Sequence, residues 1–228
     1  MTVKEFQFTV RDKTLSARMS LADVQEPDVQ GAMFIYAPGA GSNINDPFGA
    51  FLSDRLAEEG ISTVRFQFPY MEAETRRPDS PALLEETWRE IIGLCRSPDR
   101  KLPDRKLVVG GRSMGGRIAS RIVAMGMRVD GLALFAYPLH PPSNPSQPRN
   151  EHFPDISVPT LFCSGTRDSF GTTEELRTAA ANVPEATVEL LDGADHGFAV
   201  LKSSGRTQED VWSEACGIMV SWLNKRLA

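Results

Sequence analysis

Leu107-Val108-Val109-Gly110-Gly111-Arg112-Ser113-Met114-Gly115-Gly116-Arg117-Ile118-Ala119 is the stretch that decides the fold. The apolar run ending at Val109 predicts a buried strand. From Gly116 onward, Ile118, Ala119, Ile122, Val123 and Met125 recur at roughly helical spacing, which predicts a helix. Between the two stands the pattern Gly111-x-Ser113-x-Gly115. A serine on a sharp strand-to-helix turn holds its hydroxyl above the sheet edge in a strained conformation. The residues two positions either side must be very small, because the turn brings them close together. The helix that follows aims unpaired N–H groups and the positive end of its dipole at any charge forming beside the serine.

Outward from this turn the chain alternates strand and helix. Phe6, Phe8 and Val10, then Leu15, Ala17 and Met19, predict two antiparallel strands with a turn at Asp12-Lys13. Ala32–Tyr36 is continuously apolar and predicts a central strand, ending in the glycine-rich loop Ala37-Pro38-Gly39-Ala40-Gly41-Ser42. Asp46-Pro47 caps a helix closed by Gly60, and Ser62–Phe68 is a strand stopped by Pro69. Ser80-Pro81 opens a helix to about Arg96. Beyond the turn come strands at Leu132–Ala136, Pro159–Cys163 and Ala186–Leu191, and helices at Thr173–Asn182 and Thr207–Arg226. The prolines of residues 137–157 forbid regular structure and predict a short irregular cap. The pattern is that of an α/β protein, a doubly wound and mostly parallel sheet of about eight strands with helices on both faces. One domain over residues 1–228 is the expectation, and ligands then sit beyond the carboxyl ends of the strands.

Composition narrows the function. At 228 residues, with 41% hydrophobic and 24% charged residues, the chain reads as an ordinary soluble protein. The net charge of -5 gives no support for nucleic-acid binding. No apolar run approaches the ~18 residues of a membrane span. Met1-Thr2-Val3-Lys4-Glu5-Phe6 lacks the apolar core of a signal peptide. Cys95, Cys163 and Cys216 form no metal or redox motif and read as buried structural thiols. Together these features predict a cytoplasmic protein with no membrane partner.

A serine hydroxyl needs a base, and the base needs orienting. Of His140, His152 and His196, only the last lies in a small-residue loop after a predicted strand, Gly193-Ala194-Asp195-His196-Gly197, from which it can reach back over the strand ends. Asp168, after the strand ending at Cys163, is the expected orienting carboxylate, with Asp192 and Asp195 as rivals by proximity to His196. The order Ser113, Asp168, His196 is the one a nucleophile elbow of this kind uses. The negative oxygen of a tetrahedral intermediate needs two fixed donors, here the N–H of Met114 and that of Ala40.

Gly111-Arg112-Ser113-Met114-Gly115-Gly116, Ser164-Gly165-Thr166-Arg167-Asp168 and Gly193-Ala194-Asp195-His196-Gly197-Phe198 resemble motifs of the α/β-hydrolase superfamily. The likeness is to its small, nearly lidless forms, such as dienelactone hydrolases and bacterial carboxylesterases. Ser113 stands where true dienelactone hydrolases carry cysteine, and Pro38 where many relatives carry histidine. The resemblance implies a serine esterase acting on small-molecule carboxylic esters or thioesters, with no metal or organic cofactor. The elbow also resembles that of a branch containing subunits of chromatin-modifying assemblies. That likeness implies the alternative of a non-catalytic binding or complex-subunit protein on the same scaffold.

Overall fold

The computed structural model describes residues 2–22, 32–97 and 106–227. The described residues form one sheet of eight strands: β1 (Thr2–Val10), β2 (Lys13–Leu21), β3 (Ala32–Ala37), β4 (Ser62–Phe66), β5 (Lys106–Arg112), β6 (Gly131–Phe135), β7 (Thr160–Gly165) and β8 (Ala186–Leu191). Their spatial order is β1-β2-β4-β3-β5-β6-β7-β8. β1, β2 and β4 pair antiparallel, and every pairing from β4 through β8 is parallel. This is the doubly wound, mostly parallel sheet of eight strands that the alternating pattern predicts.

Local sequence explains each element. Val10 pairs with Lys13, so the β1–β2 turn is Arg11-Asp12, one position earlier than predicted; Arg11 takes a φ of 55° there. β3 is buried at all six positions, as its unbroken apolar run requires. Asp46 caps α1 (Pro47–Glu58) by accepting from the Gly49 N–H. β4 ends at Phe66, short of the predicted Phe68, because Pro69 opens a short helix, α2 (Pro69–Glu72). α3 (Pro81–Arg96) is capped by Ser80, and α4 (Met114–Ala124) starts directly after Ser113. α5 (Thr173–Ala180) opens with a capping box between Thr172 and Glu175, and α6 (Gln208–Leu227) closes the described chain.

The helices divide the apolar core in two. On one face of the sheet, α3, α4 and α5 pack Trp88, Ile118, Ile122 and Leu176 over Val64, Phe66 and Val109. On the other, α1 and α6 pack Phe48, Leu52, Val211 and Leu223 over Phe34, Val108 and Phe135. Phe48 meets the rings of Phe135 at 5.2 Å and Phe198 at 5.1 Å, which joins α1 to the loop after β8. Cys95, Cys163 and Cys216 are all buried, and Trp88 and Trp222 pack in the core. Among the described residues, no helix is long and apolar enough to cross a membrane.

Chain direction across the sheet reverses between β3 and β5: β4 is added on one side of β3 and β5 on the other. In open parallel sheets, the crevice at such a switch point is where ligands bind. Ala37 and Gly111 pair there, one residue before Pro38 and two before Ser113.

Between β6 and β7, residues 136–159 contain a single 3-10 turn at Phe153–Asp155. The segment is tied to itself by the Arg149 N–H on the Leu139 carbonyl (2.8 Å) and the Tyr137 hydroxyl on the Arg149 carbonyl (2.6 Å). It is pinned to α4 by His152, whose Nε2 lies 2.7 Å from Ser120 Oγ. Burial, then the positive charge of Arg121 and Arg117, pushes the His152 imidazole down to about 4. The neutral ring is therefore the folded form. As pH falls below the ordinary histidine range, the unfolded chain takes up a proton that the folded chain refuses, and stability declines until the folded ring also protonates. Urea denaturation between pH 7 and pH 4 therefore falls more steeply for the wild type than for His152→Gln; equal slopes overturn this assignment.

Candidate active site

The G-x-S-x-G pattern takes its meaning from β3. A Cβ at Gly111 would stand 2.0 Å from the Ala37 carbonyl oxygen, and one at Gly115 would stand 2.2 Å from the same atom. The end of β3 occupies the space that a side chain at either glycine would need. Ser113 between them has φ 50° and ψ -117°, a conformation that costs a β-carbon residue on the order of 1–3 kcal/mol. Its N–H donates to the Phe135 carbonyl (2.9 Å) and its carbonyl accepts from the Arg117 N–H (2.9 Å), so the surrounding backbone fixes it.

Ser113 Oγ lies 2.9 Å from His196 Nε2. His196 Nδ1 lies 2.9 and 2.8 Å from the two carboxylate oxygens of Asp168. With the Nδ1 proton donated to Asp168, Nε2 offers its lone pair to the serine hydroxyl. Asp168 is 6% exposed and also accepts the Phe170 N–H at 2.8 Å, which holds the carboxylate in place. The rivals are occupied elsewhere. Asp195 accepts the N–H groups of Gly197 (2.8 Å) and Ala199 (2.9 Å) and so shapes its own loop. Asp192 is an exposed turn residue.

The histidine loop is anchored by Phe198, a fully buried ring on a backbone at φ 62°. Phe170 lies on the imidazole face itself, with ring centroids 4.0 Å apart and planes 27° from parallel. Its carbonyl accepts the His140 N–H at 3.1 Å, so the irregular segment after β6 touches the Asp168 loop. His140 and His152 stand away from Ser113, with His140 Nε2 3.5 Å from Glu175. Phe170 gave no signal in the sequence beyond its closeness to Asp168.

Met114 opens α4, where the first N–H groups have no intrahelical acceptor. Ala40 is exposed at the tip of a turn closed by the Ser42 N–H on the Gly39 carbonyl (3.2 Å), with Gly41 at φ 75°. Neither N–H has an acceptor among the described residues. Gly39 is buried against the elbow: a Cβ there would lie 3.6 Å from Ser113 Cβ.

Side chains from β3, from β4 and from the residue that follows it hold this loop, and sequence reasoning missed them. Asp46 accepts from the Tyr36 hydroxyl (2.6 Å), the Ser42 hydroxyl (3.1 Å) and the Gly49 N–H (2.9 Å), and Arg112 Nη2 approaches it at 3.9 Å. Arg65 donates to the Ile44 carbonyl (2.8 Å), and Gln67 accepts the Ile44 N–H (3.1 Å). Alternating polar positions in Ser62–Phe68, a stretch buried throughout, were the available signal. Arg112 is therefore turned toward Asp46, while Arg76 and Arg77 are exposed. Among the described residues no group of three or more His, Cys, Asp or Glu side chains is placed to hold a metal.

A family described as "Alpha/beta hydrolase domain" matches residues 30–224. Solved structures of similar shape include a dienelactone hydrolase from Anabaena variabilis, at 16% identity and TM-score 0.74, covering 99% of this chain and 98% of that one. A serine hydrolase without a lid from Xanthomonas campestris is 17% identical with TM-score 0.72, over 96% and 94% of the two chains. An esterase domain from Rhodothermus marinus is 15% identical with TM-score 0.73, over the whole of both. At these identities the likeness shows the fold.

Asp46 is both a helix cap and the acceptor for a buried tyrosine. Asp46→Ala lowers stability by about 2 kcal/mol, the combined cost of the cap and of the stranded hydroxyl, read as a shift in the urea midpoint. A shift within error of zero removes Asp46 from this role.

Proposed function

The chain belongs to the α/β-hydrolase family, and on that premise we propose that it is a serine hydrolase cleaving small carboxylic ester or thioester bonds through an acyl-enzyme. The observation that carries the reading is the unbroken run of hydrogen bonds from Asp168 through His196 to Ser113 at the sheet's switch point. In this reading Ser113 Oγ attacks the acyl carbon and its proton passes to His196 Nε2. Asp168 holds the imidazole in register and stabilises its charged form. The N–H groups of Met114 and Ala40 bind the oxygen that becomes negative. His196 returns its proton to the departing alcohol or thiol. Water then loses a proton to His196, attacks the acyl carbon and releases the acid.

The substrate follows from the cover. Residues 137–157 form a short irregular strap, which favours an open site and small substrates. One domain over the whole chain suffices for this chemistry, which is acyl and proton transfer carried by side chains and backbone amides. The intact serine, base and carboxylate argue against a purely binding role, since such a role needs none of the three together.

The experiment is hydrolysis of p-nitrophenyl esters from acetate to octanoate by the wild type, Ser113→Ala and Asp168→Asn. Loss of roughly 10⁴-fold in kcat for each variant, with the fold intact by circular dichroism, is the expected result. Wild-type protein that hydrolyses none of the series and resists an organophosphonate serine probe would overturn the reading in favour of a binding scaffold.

Ala40→Pro gives an independent check on the oxyanion site. The turn places Ala40 at the position where proline is favoured, so the substitution deletes the N–H with little backbone cost. The expected loss is on the order of 10²–10³ in kcat, the value of one such donor. Unchanged kcat would move the second donor elsewhere.

A further inference from the structure

The turn that carries Ala40 is tethered by a side chain from a different part of the fold. The Gly41 N–H donates to the Tyr70 hydroxyl oxygen at 2.9 Å, although Gly41 itself is exposed. Tyr70 is 2% exposed and rigidly mounted. Its N–H donates to Asp79 Oδ2 (2.8 Å), and its carbonyl accepts from the Thr75 N–H (2.8 Å) and the Thr75 hydroxyl (3.0 Å). Its ring stacks on Phe68, with centroids 6.5 Å apart and planes 17° from parallel.

This tether has a chemical consequence for the loop. Pro38 has no N–H, so Gly39, Ala40 and Gly41 supply the donors nearest the elbow, and Tyr70 consumes that of Gly41. Ala40 stands between two glycines, the residues with most conformational freedom to lose. An oxyanion donor accelerates acyl transfer only if it is already in place when the charge forms. A Gly-Ala-Gly turn fixed at Ser42 alone would have to be ordered anew in each turnover. Burial pushes the Tyr70 phenol up, so the group that accepts the Gly41 N–H is the neutral hydroxyl.

We propose that Tyr70 is a positioning residue for the oxyanion loop: by binding the Gly41 N–H, its hydroxyl holds the Ala40 N–H where the negative oxygen forms at Ser113. The inference rests on the acyl-transfer reading above. It assigns to α2 a part in the reaction that neither the elbow nor the histidine loop supplies.

The test compares the full-length wild type with Tyr70→Phe, which keeps the ring and its packing. Two quantities are measured: the kinetics of p-nitrophenyl ester hydrolysis, and inhibition by a trifluoromethyl ketone, whose serine adduct places an anionic oxygen in the same site. Tyr70→Phe lowers kcat about 10- to 100-fold, leaves KM within about twofold, and weakens the ketone by the same factor as kcat. Asp79→Ala, which frees the Tyr70 N–H but keeps the phenol, gives a smaller loss of the same kind. A folded Tyr70→Phe enzyme with kcat and ketone affinity within twofold of wild type overturns the proposal, and so does a lowered melting temperature with unchanged kcat. Either outcome with an active wild type leaves the acyl-transfer reading standing. A wild type without esterase activity or probe labelling overturns that reading itself.

Discussion

One carbonyl oxygen, that of Ala37, constrains the centre of this molecule. Gly111 at the end of β5 and Gly115 in the first turn of α4 both lie so close to it that neither can carry a side chain. The contact joins backbone to backbone, and it sets the distance between the serine turn and the loop that follows β3. Every other part of the candidate site is arranged around that fixed gap. The strained geometry of Ser113 persists because β6 and α4 hold its peptide groups, through the Phe135 carbonyl and the Arg117 N–H.

The site is built from three loops on one sheet edge, each secured by a different device. The serine turn is held by close packing and by bonds to its own peptide groups. The Asp168 loop is closed by a carboxylate that accepts a backbone N–H two residues on. The histidine loop is closed by Asp195 in the same manner and clamped by a buried phenylalanine. Phe48 then links that phenylalanine to α1, so the aromatic packing on one face of the sheet bears on how the imidazole sits. In this way a core that is ordinary in composition positions groups whose placement must be accurate to fractions of an ångström.

The fold and the three residues now found in one hydrogen-bonded run were legible because each signal was local. Strands announce themselves by apolar runs, and the serine, aspartate and histidine each follow such a run at its carboxyl end. Asp168 stands out from Asp195 by its place after a strand, between the serine and the histidine in chain order. The supporting side chains were illegible for the opposite reason. Tyr36, Arg65, Gln67 and Tyr70 act across 10 to 29 positions of sequence, and nothing at either end states the pairing. Glu72 stands in a polar stretch of sequence that announces no partner, yet it accepts from Ser16 and Gln67 and ties β2 to the loop after β4. Short helices such as α2 are equally hard to see, because one turn has no period to detect.

The distances along the chain between the three residues also set an order of assembly. Ser113 and His196 are 83 positions apart, and Asp168 and His196 are 28 apart. The β1–β2 hairpin needs only nearby chain and the elbow needs β3 and β6, whereas the imidazole reaches the serine from the loop beyond β8. Closing such long loops is entropically the slow part of folding. The three side chains therefore meet only where two long loops have both been closed on one sheet edge.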